Sequence, residues 1–290
     1  MTPRKTDILT TSDGTRLYYE CYGDHGPIIV MTYGIACLMN HWRYQIEDFA
    51  KDHRILIYDM RGHHKSDLGG LPITMDLLAN DTIELLDAAY SKNEKAHFWG
   101  HSFGAPISLR CASLFPDRVL SAVLINGFFK NPFSEFLSDD QCFKLVEGLH
   151  TFVTNAPNLS QWMWNTVTGS VFFHYIAGVT GGFNLERVSY KDIEIYSKGL
   201  GCIPLHNFLE NFKALVTFDG TGFIASTVAP ILVIVGERDG IVPGHLNHYL
   251  AENLPSAQLK TFAEGSHCTQ LDLPTEVNAS IREFMLNIKA

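Results

Sequence analysis

The sequence predicts an α/β fold, built as a mostly parallel eight-stranded sheet flanked by helices, with a helical insertion after the sixth strand. Three observations carry the prediction. Short, continuous apolar runs such as Ile28–Thr32 (IIVMT) and Arg54–Tyr58 (RILIY) are bounded by Gly and Asp, as suits strands buried on both faces of a parallel sheet. These runs alternate with segments of helical period, which implies right-handed βαβ crossovers. The alternation stops near residue 128 and resumes near residue 226.

Taken in order, Ile8–Thr11 and Arg16–Tyr22 flank the turn signal Ser12-Asp13-Gly14 and read as an opening hairpin. Ile28–Thr32 and Arg54–Tyr58 are the next two strands. Between them His41–Lys51 places Trp42, Ile46, Phe49 and Ala50 at helical spacing. A helix over Ile73–Tyr90, a strand at Ala96–Trp99, a helix over Pro106–Phe115 and a strand at Val119–Ile125 follow. After the break come Pro230–Val235 (PILVIV), a helix over Val242–Leu254, a strand at Gln258–Phe262 and a closing helix near Thr275–Ile288. Residues 1–127 and 226–290 therefore form the expected core, and residues 128–225 the expected cap.

The cap is distinct in composition. It holds 18 of the 34 aromatic residues, and from Gly148 to Leu185 there is no Asp, Glu, Lys or Arg. Asn155, Asn158, Gln161, Asn165 and His174 make that stretch too polar to span a bilayer. A cap closing over an apolar cavity is the expected arrangement.

Whole-chain composition excludes several classes of function. With 46% apolar and 18% charged residues in a chain of 290, the sequence is that of a globular protein. Thirty-one acids against 22 bases give a net charge of -9, which argues against nucleic acid as a partner. Six scattered cysteines without a C-x-x-C pair read as buried thiols of a reducing compartment. The N-terminal segment lacks the apolar stretch of a signal peptide, so a cytoplasmic location is expected. Neither H-E-x-x-H nor clustered Cys/His spacing occurs, and there is no G-x-G-x-x-G or Walker loop. No metal and no cofactor are expected.

The strongest chemical signal is Gly100-His101-Ser102-Phe103-Gly104, between a strand and a helix. That context puts a serine on a tight turn with its hydroxyl above the sheet and the first amides of the helix nearby. A serine hydroxyl needs a base and an orienting acid to act as a nucleophile. Among 13 histidines, His267 follows the last strand, where its loop overhangs the carboxyl edge of the sheet. His41, His63, His64, His245 and His248 read as surface or loop residues. Asp239 follows the PILVIV strand, with Glu237 as its rival, whereas the strand before the insertion ends in Asn126 and offers no acid there. The chain order is then Ser102, Asp239, His267. Asp59 and Asp67 read as turn and salt-bridge residues, and Cys37 and Cys268 as packing residues.

With these residues in view, the chain resembles the α/β-hydrolase superfamily, in its esterase and C–C hydrolase branch. The likeness rests on Thr32-Tyr33-Gly34-Ile35, on the stretch from Asp59 through Arg61-Gly62-His63-His64 to Asp67, on the Ser102 turn, and on the Asp239 and His267 loops. It covers roughly residues 8–127 and 228–288. The resemblance implies an oxyanion hole made by the backbone amides of Ile35 and Phe103. Tyr33 stands where His is common, and His64 and Ala105 stand where Gly is usual. A dehalogenase or epoxide hydrolase of this fold would be expected to carry Asp at the position of Ser102.

The expected activity is that of a serine hydrolase on a small, mainly apolar carboxylic ester or lactone, with Tyr33, Trp162, Trp164 and Phe172 meeting the substrate. A C–C bond hydrolase of a β-diketone-type compound is the alternative within the same chemistry. A ligand sensor with slow or no turnover is the alternative outside it.

Overall fold

The computed structural model describes residues 1–288. Its sheet has eight strands: β1 (Lys5–Thr10), β2 (Arg16–Tyr22), β3 (Ile28–Thr32), β4 (Arg54–Tyr58), β5 (Ala96–His101), β6 (Val119–Ile125), β7 (Ile231–Gly236) and β8 (Ala257–Phe262). They lie in the order β1-β2-β4-β3-β5-β6-β7-β8. The β1–β2 and β2–β4 pairs are antiparallel and every other pair is parallel. Every residue of β3, β5 and β7 is buried, which is why their sequences are continuous apolar runs without alternation. The outer strands β1 and β8 carry exposed polar residues instead, as edge strands do.

Helices α1 (Arg43–Phe49), α2 (Met75–Ala89) and α3 (Gly104–Leu114) connect the first six strands, while α10 (Gly244–Asn253), α11 (Thr269–Asp272) and α12 (Pro274–Leu286) follow β7 and β8. Two boundaries differ from the sequence pattern for identifiable reasons. The segment expected as one helix from His41 opens with a 3₁₀ turn, Met39–Trp42, before α1 begins. Helix α3 starts at Gly104, two residues ahead of Pro106, because the N–H that proline lacks is one of the first-turn donors with no intrahelical partner.

Between β6 and β7 run α4 (Asp139–Asn155), α5 (Pro157–Thr168), α6 (Val171–Ala177), α7 (Tyr190–Gly201), α8 (Leu205–Thr217) and α9 (Thr221–Ile224). A capping box of Ser138 and Gln141 starts α4. At the base of this segment Lys130 and Asp219 form an isolated antiparallel bridge, and the Gly220 amide donates to the Phe129 carbonyl at 2.6 Å. No helix among the described residues is long and apolar enough to cross a membrane.

Candidate active site

Ser102 sits between β5 and α3 with φ of +52°, a left-handed conformation that costs a non-glycine residue about 1–3 kcal/mol. Its surroundings enforce it. The Ser102 amide donates to Ile125 at 3.0 Å, and the Ser102 carbonyl accepts from Ala105 at 3.0 Å. The flanking glycines are required by contact: a Cβ on Gly100 would lie 2.2 Å from the Gly104 carbonyl oxygen, and one on Gly104 would lie 2.3 Å from that of Thr32.

His267 and Asp239 converge on this turn from the loops after β8 and β7. His267 Nε2 lies 2.9 Å from Ser102 Oγ, and His267 Nδ1 lies 2.9 Å from Asp239 Oδ2. The carboxylate is fixed from its other side, because Oδ1 accepts from the amides of Ile241 at 2.8 Å and Val242 at 2.9 Å. With Nδ1–H donating to the acid, Nε2 is left as an acceptor facing the serine hydroxyl. Glu237 is exposed, and among the described residues no hydrogen bond or ion pair joins it to His267. The geometry therefore brings Asp239, and not its rival, to the imidazole.

Sequence reasoning missed what holds His267 in place. Asn126, itself left-handed at φ of +47°, is fully buried, and its Nδ2 donates to the carbonyls of Ser266 and His267 at 2.7 Å each. Its Oδ1 accepts from Gly236 at 2.8 Å, so one amide side chain joins the end of β7 to the histidine loop. Asp272 accepts from the amide and hydroxyl of Ser266 at 2.6 Å each. The signal was present in the sequence: a polar residue ending an apolar strand must find buried partners.

The two amides expected to form an oxyanion hole, those of Ile35 and Phe103, donate to no protein acceptor among the described residues. The loop carrying Ile35 is clamped by the Arg61-Gly62-His63-His64 stretch. His63 Nε2 accepts from the Ala36 amide at 3.1 Å, its Nδ1 bonds the Arg61 carbonyl at 3.1 Å, and His64 Nε2 donates to the Cys37 carbonyl at 2.7 Å. Arg61 is itself buried against Asp81 and Asp13. Burial pushes His63 down to about 4, which keeps the ring neutral and able to accept. Of the histidines expected as surface or loop residues, His63 does lie in a loop and His41 in the 3₁₀ turn, but both are buried and not at the surface. Asp59 is also no salt-bridge residue. It is buried, accepts from the Tyr33 hydroxyl at 2.8 Å, and its pKa is raised by burial.

Above Ser102 and His267 lies a cavity of about 360 Å³, and among the described residues no Lys, Arg, Asp or Glu lines it. Ile35 and Phe128 contribute from the sheet side, and Phe173, Phe208, Phe212 and Leu215 from the inserted helices. Of the four side chains expected to meet substrate, the structure brings Trp164 to this wall, where its Nε1 donates to the Ile203 carbonyl at 3.1 Å. Trp162 and Phe172 are 64% and 71% exposed and lie off the cavity. Tyr33 is wholly buried and turned toward Asp59.

One group of metal-ligand type borders the cavity. The ligand atoms of Cys37, His41 and His101 lie within 4.8 Å of one another, and all three residues are buried. Both ring nitrogens of His41 and the Nδ1 of His101 lack partners among the described residues. Burial pushes the Cys37 thiol up and His41 down to about 3. An ion there would have to displace a tightly held thiol proton.

A family model described as the alpha/beta hydrolase fold matches residues 27–158. The chain is 28% identical over 276 residues to a putative carbamate hydrolase RutD of Azorhizobium caulinodans, covering 92% of this chain and 94% of that protein. It is 24% identical over 293 residues to human epoxide hydrolase 4, covering 96% and 78% respectively. The crystal structure of a hydrolase from Pseudomonas aeruginosa superposes with a TM-score of 0.79 at 24% identity, covering 98% of this chain and 99% of that one. Joined to the strand order and the strand-to-helix turn at Ser102, these likenesses show that the chain has the α/β-hydrolase fold and is similar over most of its length to hydrolases that share it.

Proposed function

We propose that the protein is a serine hydrolase cleaving a small, mainly apolar carboxylic ester or lactone, with Ser102, His267 and Asp239 as its catalytic triad and residues 128–225 as its cap. The observation that carries this reading is the pair of 2.9 Å contacts from His267 to Ser102 and Asp239 at the floor of a charge-free cavity.

In the first step Ser102 Oγ bonds the carbonyl carbon while its proton passes to His267 Nε2. Asp239 stabilises the imidazolium that results. The carbonyl oxygen takes the negative charge and is met by the amides of Ile35 and Phe103; losing one such donor typically costs about 3–4 kcal/mol. As the tetrahedral centre collapses, the bond to the leaving alkoxide breaks and the proton on His267 passes to it. Water then repeats the sequence on the acyl-enzyme, giving up a proton to His267, and the acid departs with Ser102 restored.

The cavity wall supports an uncharged substrate. It offers no cation to a carboxylated β-diketone, which weighs against C–C hydrolysis, and its aromatic lining suits a larger apolar acyl group better than a small polar carbamate. The likeness to an epoxide hydrolase is not carried over, because Ser102 stands where an aspartate nucleophile would be expected. A fluorophosphonate probe is expected to label the wild type and not Ser102→Ala, and apolar p-nitrophenyl esters or lactones are expected to turn over. Labelling that persists in Ser102→Ala removes the nucleophile assignment. Labelling without turnover of any ester or lactone would point to the ligand-sensing alternative.

A further inference from the structure

Helix α8 has two working faces. Phe208, Phe212 and Leu215 line the cavity, and Asn211 Nδ2 donates to the Arg61 carbonyl at 3.0 Å, reaching the stretch that clamps the Ile35 loop. On its other side α8 presents His206 and Glu210, four residues apart and so on one helical face. His150 of α4 meets them there: its Nε2 lies 2.7 Å from Glu210 Oε1, and its ring centroid lies 5.1 Å from that of His206. One ligand atom from each of the three residues falls within 4.8 Å of the others, and the group is partly open to solvent.

We propose that His150, His206 and Glu210 form a binding site for a borderline divalent transition-metal ion, with Zn²⁺ as the representative, that ties α4 to α8 across the outer surface of the cap. Two imidazoles and a carboxylate are the ligand set such ions favour over Mg²⁺ or Ca²⁺, which prefer all-oxygen sites. Two ligand atoms bound to a tetrahedral zinc are about 3.4 Å apart. The His150–Glu210 pair therefore needs to open by less than about 1 Å to admit the ion. Solvent supplies the fourth position without disturbing the core. Unlike the group at Cys37, this one contains no thiol whose proton burial holds in place. An ion bound here would stiffen the helix that walls the substrate cavity.

The test is calorimetric titration of chelator-treated full-length protein with Zn²⁺, paired with thermal melts. Saturable one-to-one binding is expected, with a higher Tm in its presence. His206→Ala and Glu210→Gln should each weaken binding at least about tenfold, since loss even of outer partners of a metal site costs that much, and should abolish the Tm shift. Cys37→Ser should leave binding intact. Affinity unchanged in both cap variants, binding lost in Cys37→Ser alone, or no saturable binding by the wild type would each overturn the proposal.

Discussion

Acid should unfold this protein earlier than its carboxylates alone would dictate. Four imidazoles, those of His41, His63, His97 and His101, are enclosed in the fold, and burial is the largest cause of depressed basicity in each. His41 is pushed down to about 3, His63 and His97 to about 4, and His101 well below the usual histidine range. The unfolded chain takes up these four protons near pH 6.5 while the folded chain does not. Stability is therefore fully present above pH 6.5 and falls as the pH drops from there toward the folded values. At pH 5 the loss depends almost wholly on the unfolded value, and comes to about 2 kcal/mol each for His41, His63 and His97, or about 6 kcal/mol together, with His101 acting in the same direction. Buried carboxylates act in the opposite sense: Asp81, raised to about 6 by burial, returns about 1 kcal/mol by pH 5, and Asp59 and Asp272 are raised as well. A net loss of about 5 kcal/mol from His41, His63, His97 and Asp81 is comparable with the whole stability of a typical domain, about 5–15 kcal/mol. Urea unfolding at pH 7 and pH 5 measures it directly. Among the described residues the His97 side chain bonds Ser121 on the neighbouring strand, near the start of the strand whose other end leads to Ser102, so His97→Gln should reduce the pH-dependent loss by about 2 kcal/mol. A wild type whose stability at pH 5 stays within about 1 kcal/mol of that at pH 7 would refute the reasoning.

The remaining predictions concern the reaction. Asp239→Asn should lower kcat on the best ester by about 10⁴ through the wrong imidazole tautomer, with KM changed little; near-normal activity there, with loss in Glu237→Gln, would move the role to Glu237. His63→Ala removes the acceptor that fixes the Ala36 amide, and should lower kcat by about 10² with a smaller effect on KM, as expected when an oxyanion donor is displaced. An unchanged kcat would take that positioning role away from His63.

Much of the fold could be read from the chain because strands buried on both faces leave little freedom in composition. Ile28–Thr32 and Arg54–Tyr58 have their expected bounds to the residue, and the glycines around Ser102 announce a turn that larger residues could not make. The cavity wall was harder, for a reason of helical geometry. Trp162 and Trp164 are two residues apart on α5, so at 100° per residue they point to nearly opposite sides; one faces the cavity and the other solvent. Phe172 and Phe173, adjacent on α6 and so about 100° apart, also divide between solvent and cavity. Aromatic density located the wall, and the choice of face needed the neighbouring helices. The burial of His41, His63 and Asp59 was not legible because a polar residue in a loop sequence gives no sign that distant atoms will enclose it. The partners of His63 and Asp59, Ala36 and Tyr33, lie 27 and 26 residues away.

The bridge between Lys130 and Asp219 means that the chain leaves the sheet and returns to it at nearly the same point. Everything between those two residues hangs from a neck one strand-spacing wide. Such a neck imposes no particular length or shape on what it carries, because loop-closure entropy grows only slowly with loop length. The segment also touches the loops beneath it, since Gly181 accepts from the His267 amide at 2.9 Å and Asn211 reaches the Arg61 carbonyl, so a different helical module grafted there has to supply these contacts as well. Exchange of one contiguous segment then changes the cavity wall, and it leaves the loops beneath in place only where the new segment supports the His267 loop and Arg61 as this one does.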